Sequence, residues 1–112
     1  MSTIVQIPIE ETPEASTLID QLGKRPEMEA IIEHTRQTVP GLHSIEISVW
    51  YDHDEDKGPP HLVITGWRER GRLSRDDFQG EWDWAQWFIR AFPPDAKFLL
   101  SFEIQYRGSH GR

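Results

Sequence analysis

The residues best able to do chemistry lie together near the middle of the chain. Residues 52–58 read DHDEDKG, and His61 follows two prolines. Carboxylates at alternate positions are how calcium-binding loops begin, and histidines beside carboxylates can hold a transition metal. The glycine comes one position late for a calcium loop, and Val63 stands where a bidentate glutamate belongs. The segment therefore predicts either a solvated acidic loop or a divalent-metal site, with candidate ligands Asp52, His53, Asp54, Asp56 and His61.

A run of arginines forms the second candidate site. Its members are Arg68, Arg70, Arg72 and Arg75. They lie just before, and at the start of, a helix predicted to begin after Ser74, and guanidinium groups beside the free N–H groups of a helix N-terminus can bind an anion. The alternative is an arginine loop paired with carboxylates of this chain or a second copy. Residues 1–56 hold twelve acidic and three basic residues, and residues 57–112 hold seven and nine.

Sequence signals of catalysis and of cofactor binding are weak. The chain has no cysteine, which excludes disulfides, thiolate nucleophiles and cysteine-ligated zinc. It also lacks the nucleophile elbow of hydrolases, the glycine-rich phosphate loop and the two-histidine zinc helix. We therefore expect a non-catalytic protein with no cofactor. The alternative is a divalent-metal-binding module or a metal-dependent enzyme that uses the acidic hairpin tip 52–61.

Hydrophobic periodicity supplies the elements that must position these residues. Val5, Ile7 and Ile9 alternate as in a strand, but Pro8 confines that strand to an edge or makes it an arm. Prolines and glycines mark the ends of the other predicted elements. We predict helices over 13–22, 26–39 and 75–92, and strands over 3–9, 43–52, 60–67 and 98–106.

The order of these elements predicts a single α+β domain over residues 1–112. A β-α-β-β-α-β order matches the ferredoxin-like plan, an antiparallel sheet with helices on one face. If the first strand is not in the sheet, a three-stranded α-β-β-α-β variant remains, with residues 1–25 as an N-terminal arm. Residues 108–112 are expected to be a flexible tail.

Strand alternation predicts a sheet face that the helices leave open. It collects Glu46, Ser48, Trp50, Thr65, Trp67, Ser101, Glu103 and Gln105, joined by Val63 and Leu99. One interpretation makes Trp50 and Trp67 cross-strand neighbours that stabilise the hairpin. The other makes the face a docking surface, because exposed tryptophan is enriched at interfaces. The acidic residues on this face disfavour RNA.

The last helix carries more aromatic residues than one core needs. We expect its core stripe to be Phe78, Trp82, Ala85, Ile89 and Phe92. Trp84 and Trp87 then lie on other sides of the helix, with Phe88 beside the stripe. Either they form a second apolar patch that binds another protein, or Phe88 widens the core stripe while one tryptophan packs against a neighbouring loop. The complete predicted interaction surface is Trp50, Trp67, Trp84, Trp87 and Phe88.

Charge narrows the classes of partner. A net charge of −7 disfavours binding to nucleic acid and to anionic membranes. The chain shows neither a signal peptide nor a stretch of transmembrane length, so we expect a cytoplasmic protein. The sequence predicts an acidic protein-interaction domain, homodimeric, that masks a basic protein partner in the manner of antitoxins and immunity proteins.

Overall fold

A computed structural model describes residues 7–50, 60–69, 71–95 and 98–107. The α+β class is confirmed, because the helices and the strands of the described chain pack around a common core. The elements in chain order are β1 (Ile9–Glu11), α1 (Pro13–Leu22), α2 (Arg25–Thr38), β2 (Ser44–Trp50), β3 (His61–Arg68), α3 (Arg75–Ala91) and β4 (Leu99–Tyr106).

The sheet is mixed, with strand order β1-β2-β3-β4. β1 pairs with β2 and β3 pairs with β4 in parallel, and the central pair β2–β3 is antiparallel. This differs from the antiparallel, ferredoxin-like arrangement expected from the element order. Each helical connection returns the chain to the adjacent position in the sheet, whereas the ferredoxin-like plan interleaves the two halves. A first strand does pair in the sheet, but it spans Ile9–Glu11 rather than residues 3–9, of which 3–6 lie outside the described residues. The sheet of the described chain therefore has four strands rather than the three of the variant with an arm.

The helix ends follow local chemistry that the sequence displays. Thr12 caps α1, since its hydroxyl accepts from the N–H of Ala15 at 3.2 Å, and Pro13 occupies the first turn. Gly23 ends α1 with a φ of 67°, a left-handed conformation that favours glycine. At α3, Ser74 and Asp77 form a reciprocal capping box.

The core lies between the sheet and the three helices. Register places Ile47, Ile64 and Phe102 in one row across the sheet, facing the helices. These side chains share a single buried cluster with Ile19 of α1 and Met28 of α2. None of the helices in the described part of the chain combines the length and the apolar character needed to cross a bilayer.

Candidate interaction surfaces

The side chains expected on the open sheet face do lie there together. Pairing aligns Glu46, Thr65 and Glu103 in one row across β2, β3 and β4. Side chains in this row and in its neighbours at alternate positions point away from the helices. We call this surface the open sheet face; its residues are Glu46, Ser48, Trp50, Val63, Thr65, Trp67, Leu99, Ser101, Glu103 and Gln105.

Trp50 and Trp67 occupy opposite ends of that face. Trp50 pairs with His61 and Trp67 pairs with Ser44, six positions apart along the strands, which is about 20 Å. They are therefore not the cross-strand neighbours of the hairpin interpretation. Trp50 is 55% exposed. Trp67 is held in place, because its Nε1 donates to Glu46 at 3.1 Å and a guanidinium group lies 4.6 Å above its ring.

Trp84 is a core residue, which corrects its placement in the predicted interaction surface. It is 3% exposed, and its ring stacks on that of Phe102 with 5.3 Å between centroids. Its Nε1 donates to the Thr35 hydroxyl at 2.9 Å, and that hydroxyl donates to the Ile31 carbonyl at 2.8 Å. A buried indole needs such a partner. That partner, Thr35, occupies an apolar position of α2, so the sequence alone gives no sign that it binds an indole.

Trp87 and Phe88 lie half-buried at the rim of the core. The Trp87 ring lies flat against the imidazole of His34, with centroids 3.5 Å apart. Desolvation there lowers the pKa of His34 and favours the neutral imidazole. Phe88 contacts Phe98 and Phe92. Both predicted surface residues are thus largely engaged within the chain.

The exposed apolar residues of α3 are the ones expected to be its core stripe. Phe78 is 56% exposed, Trp82 62% and Ile89 65%. We call these three the outer stripe. The residues that face inward instead are Asp77 and Trp84. The exposed apolar surface of α3 is therefore formed by residues expected in the core, and the patch expected at Trp84, Trp87 and Phe88 is not what the helix exposes.

A buried ion-pair network explains the rotation of α3. Asp77 is 1% exposed and bonds to Arg68, whose Nη2 donates to the Pro40 carbonyl at 3.0 Å. The Tyr106 hydroxyl donates to the second oxygen of Asp77 at 2.7 Å, and the N–H of Ser74 donates to it at 3.0 Å. Sequence-level reasoning missed this network, although an acid at the third helical position and an arginine at a strand end were visible signals.

These contacts set the charge state of Asp77. Burial acts to raise the pKa of Asp77, but the hydrogen bonds from Tyr106 and Ser74 outweigh it. The positive charge of Arg68 adds to them, so the pKa of Asp77 lies below its ordinary value. Asp77 is therefore a carboxylate at neutral pH.

Gly71 allows the chain to pass from β3 into α3 against the ring of Tyr106. Its φ is 129°, and a Cβ at this position would lie 2.8 Å from Cε1 of Tyr106. A side chain there would displace the phenol that holds Asp77. The Asp77 network therefore requires a glycine at this position.

One arginine of the predicted anion site already has a partner within the chain. Arg68 is committed to Asp77, which also caps the helix N-terminus where an external anion would bind. Arg72 and Arg75 are exposed. Arg70 lies outside the described residues, so its role stays a prediction. Anion binding by the other three arginines stays a prediction.

Most of the predicted metal ligands lie outside the described residues, namely Asp52, His53, Asp54 and Asp56. His61 is described and pairs with Trp50, and desolvation lowers its pKa. In the described part of the chain, no group of three or more histidines and carboxylates could hold a metal ion. The metal site stays a prediction.

A groove of about 600 Å³ separates the C-terminal half of α3 from the first half of β4. Ile89 and Ala85 line its helix side, and Leu100 and Phe102 line its strand side. We call it the α3–β4 groove. Its lining is mostly apolar, and Ile89 also belongs to the outer stripe, so groove and stripe form one continuous surface.

Comparisons of the chain with protein-family models, with curated proteins and with solved structures find no match. The function is therefore inferred from the geometry of the described residues.

Proposed function

We propose that this protein is a non-catalytic protein-interaction domain that forms homodimers. The observation that carries the proposal is the outer stripe. Three large apolar side chains, each more than half exposed, present roughly 350 Å² of apolar surface. The largest apolar patch of a typical monomer is about 300–600 Å² and is often functional. The α3–β4 groove extends the patch, and grooves beside exposed apolar side chains can receive a partner's anchor residues.

The open sheet face supports a second role, the masking of a basic protein partner. Glu10 of β1 is in register with Glu46, which extends the row that ends at Glu103. Three carboxylates in one row, on a chain of net charge −7, attract positive surfaces. Trp50 at the end of the face adds an exposed aromatic ring of the kind found at interface hot spots.

Light scattering on the purified protein tests self-association. At about 100 µM the wild type should have about twice the 13.1 kDa mass of one chain. Trp82→Lys places a charge in the outer stripe and should leave a monomer. Trp50→Lys is the matched control, because Trp50 is similarly exposed but lies on another surface, and this variant should remain dimeric. A wild type that stays monomeric at this concentration contradicts the proposal.

A further inference from the structure

We propose that two copies of this chain join through the outer edge of β4, so that their sheets become continuous and their outer stripes pack together. The proposal rests on the proposed self-association and specifies its geometry. Two neighbouring features carry it, the free edge of β4 and the direction in which the outer stripe points.

The hydrogen bonds at β4 identify which backbone groups face outward. β4 is the last strand in the sheet order. The N–H of Ile104 donates to the Glu81 carboxylate at 2.8 Å, so it points away from β3. Because backbone groups alternate sides along a strand, the N–H and C=O groups of Leu100 and Phe102 also point outward.

Two contacts limit the free part of this edge. The Phe98 N–H donates to the Asp95 carbonyl at 3.0 Å, and Glu81 covers Ile104. Between these positions, no residue in the described ranges meets the outward groups of Leu100 and Phe102. An antiparallel partner strand that pairs Leu100 with Phe102 of the second copy satisfies these groups on both chains. That register places Ser101 opposite Ser101 of the second copy and Ile104 opposite Phe98 of the second copy. The N–H groups of Ile104 and Phe98 already have partners, so the pairing ends there.

The outer stripe points in the direction that such pairing requires. Trp87 contacts His34 of α2, and Glu81 reaches the edge of β4. The outer stripe lies roughly 140–180° around the helix from Trp87. It therefore faces away from α2 and beyond the edge of β4, where α3 of the second copy would lie.

Two-fold symmetry then makes the two copies of α3 antiparallel, which gives complementary contacts. Trp82 of each copy meets Ala85 and Ile89 of the other at the mouth of the α3–β4 groove.

The available area fits a second copy. The outer stripe contributes roughly 350 Å² of apolar surface per copy. The groove lining and the free edge at Leu100 and Phe102 bring the contact toward the roughly 800 Å² per partner of a standard interface. An isolated peptide strand would cover the edge of β4 but would leave the outer stripe in solvent.

Disulfide trapping tests this geometry in the full chain, which has no cysteine of its own. In the proposed register, the Cα atoms of the two Ser101 residues lie about 4.5 Å apart, within the range that a disulfide spans. Ser101→Cys should therefore be converted largely to a covalent dimer under mild oxidation. Ser48→Cys is the matched control, because Ser48 lies in the same row of the open sheet face but in the inner strand β2. It should remain uncrosslinked.

The outcomes separate this inference from the proposed function. A wild type that is dimeric by light scattering, with Ser101→Cys crosslinking no more than Ser48→Cys, overturns the edge geometry and leaves the homodimer intact. A monomeric wild type overturns both. Adding Trp82→Lys to Ser101→Cys should abolish the crosslink, and a crosslink that persists would show random collision and overturn the inference.

Discussion

Asp77 joins the start of α3 to the ends of β3 and β4, through Arg68 and Tyr106. At the residue scale, this carboxylate determines the rotation of α3 more strongly than the apolar residues around it do. A buried acid accepts hydrogen bonds only from donors in fixed positions, so it determines one rotation of the helix. An apolar side chain can pack against many neighbours and determines none.

Asp77→Asn should destabilise the fold by about 3 kcal/mol at pH 7, because it leaves Arg68 without its charged partner. Asp76→Asn is the control: Asp76 is the exposed neighbour in the same helical turn, and the change should cost about 0.5 kcal/mol. Urea unfolding measures both variants. Equal losses would contradict the assigned role of Asp77.

The loss of stability caused by Asp77→Asn should depend on pH. The pKa of Asp77 is lower in the folded chain than in the unfolded chain, where it is about 4. Its carboxylate therefore stabilises the fold above about pH 4, and this contribution is lost as the pH falls below that value. The stability difference between wild type and Asp77→Asn should be largest at pH 7 and shrink below about pH 4.

At the element scale, the strands were the most predictable part of the fold. Alternation over β2 and β4 correctly separated the core side chains from the open sheet face, because a strand has only two faces. Caps at Thr12, Gly23 and Ser74 also stood in the sequence. Strand order was not readable in this way, since nothing local determines whether a helical connection returns to the adjacent strand or skips one.

Hydrophobic periodicity could not predict which side of α3 faces the core, because this helix is apolar on two sides. Counting apolar residues favoured Phe78, Trp82 and Ile89 for the core, whereas a hydroxyl on α2 and a buried acid selected the other side. The predicted interaction surface failed at Trp84 for the same reason. Two tryptophans of one helix can exchange roles when the polar partners that distinguish them lie far away in sequence.

Neighbouring residues of α3 test this orientation. Phe88→Ala should cost about 2 kcal/mol of unfolding free energy, since it removes ring contacts at the core rim. Ile89→Ala should cost under about 0.5 kcal/mol in dilute protein, where each copy is alone and the side chain meets solvent. Chemical denaturation below about 1 µM makes the comparison. A larger loss for Ile89→Ala would place the outer stripe in the core.

At the scale of the whole molecule, net charge acts oppositely on the two proposed partners. Two copies of net charge −7 repel each other, and salt screens that repulsion. Raising sodium chloride from about 0.02 to 0.3 M should strengthen the homodimer severalfold in analytical ultracentrifugation. The same change should weaken binding of a lysine- and arginine-rich peptide to the open sheet face at least tenfold.

A charge-matched pair of variants locates the peptide site. Glu46→Gln with Glu103→Gln should lose most of the peptide binding in calorimetric titration. Glu14→Gln with Glu29→Gln changes net charge equally, on α1 and α2, and should retain it. Equal effects of the two pairs would mean that the peptide responds to overall charge, and the masking role would fall.

Strand order has a consequence for how the molecule is made. Every strand pairs with its neighbour in sequence, so the sheet can grow by adding strands at one end as the polypeptide leaves the ribosome, without opening a ladder already formed. β4 arrives last, after α3 has been synthesised. In the proposed homodimer, nascent chains on a shared messenger can pair through β4 only after α3 and β4 have both emerged.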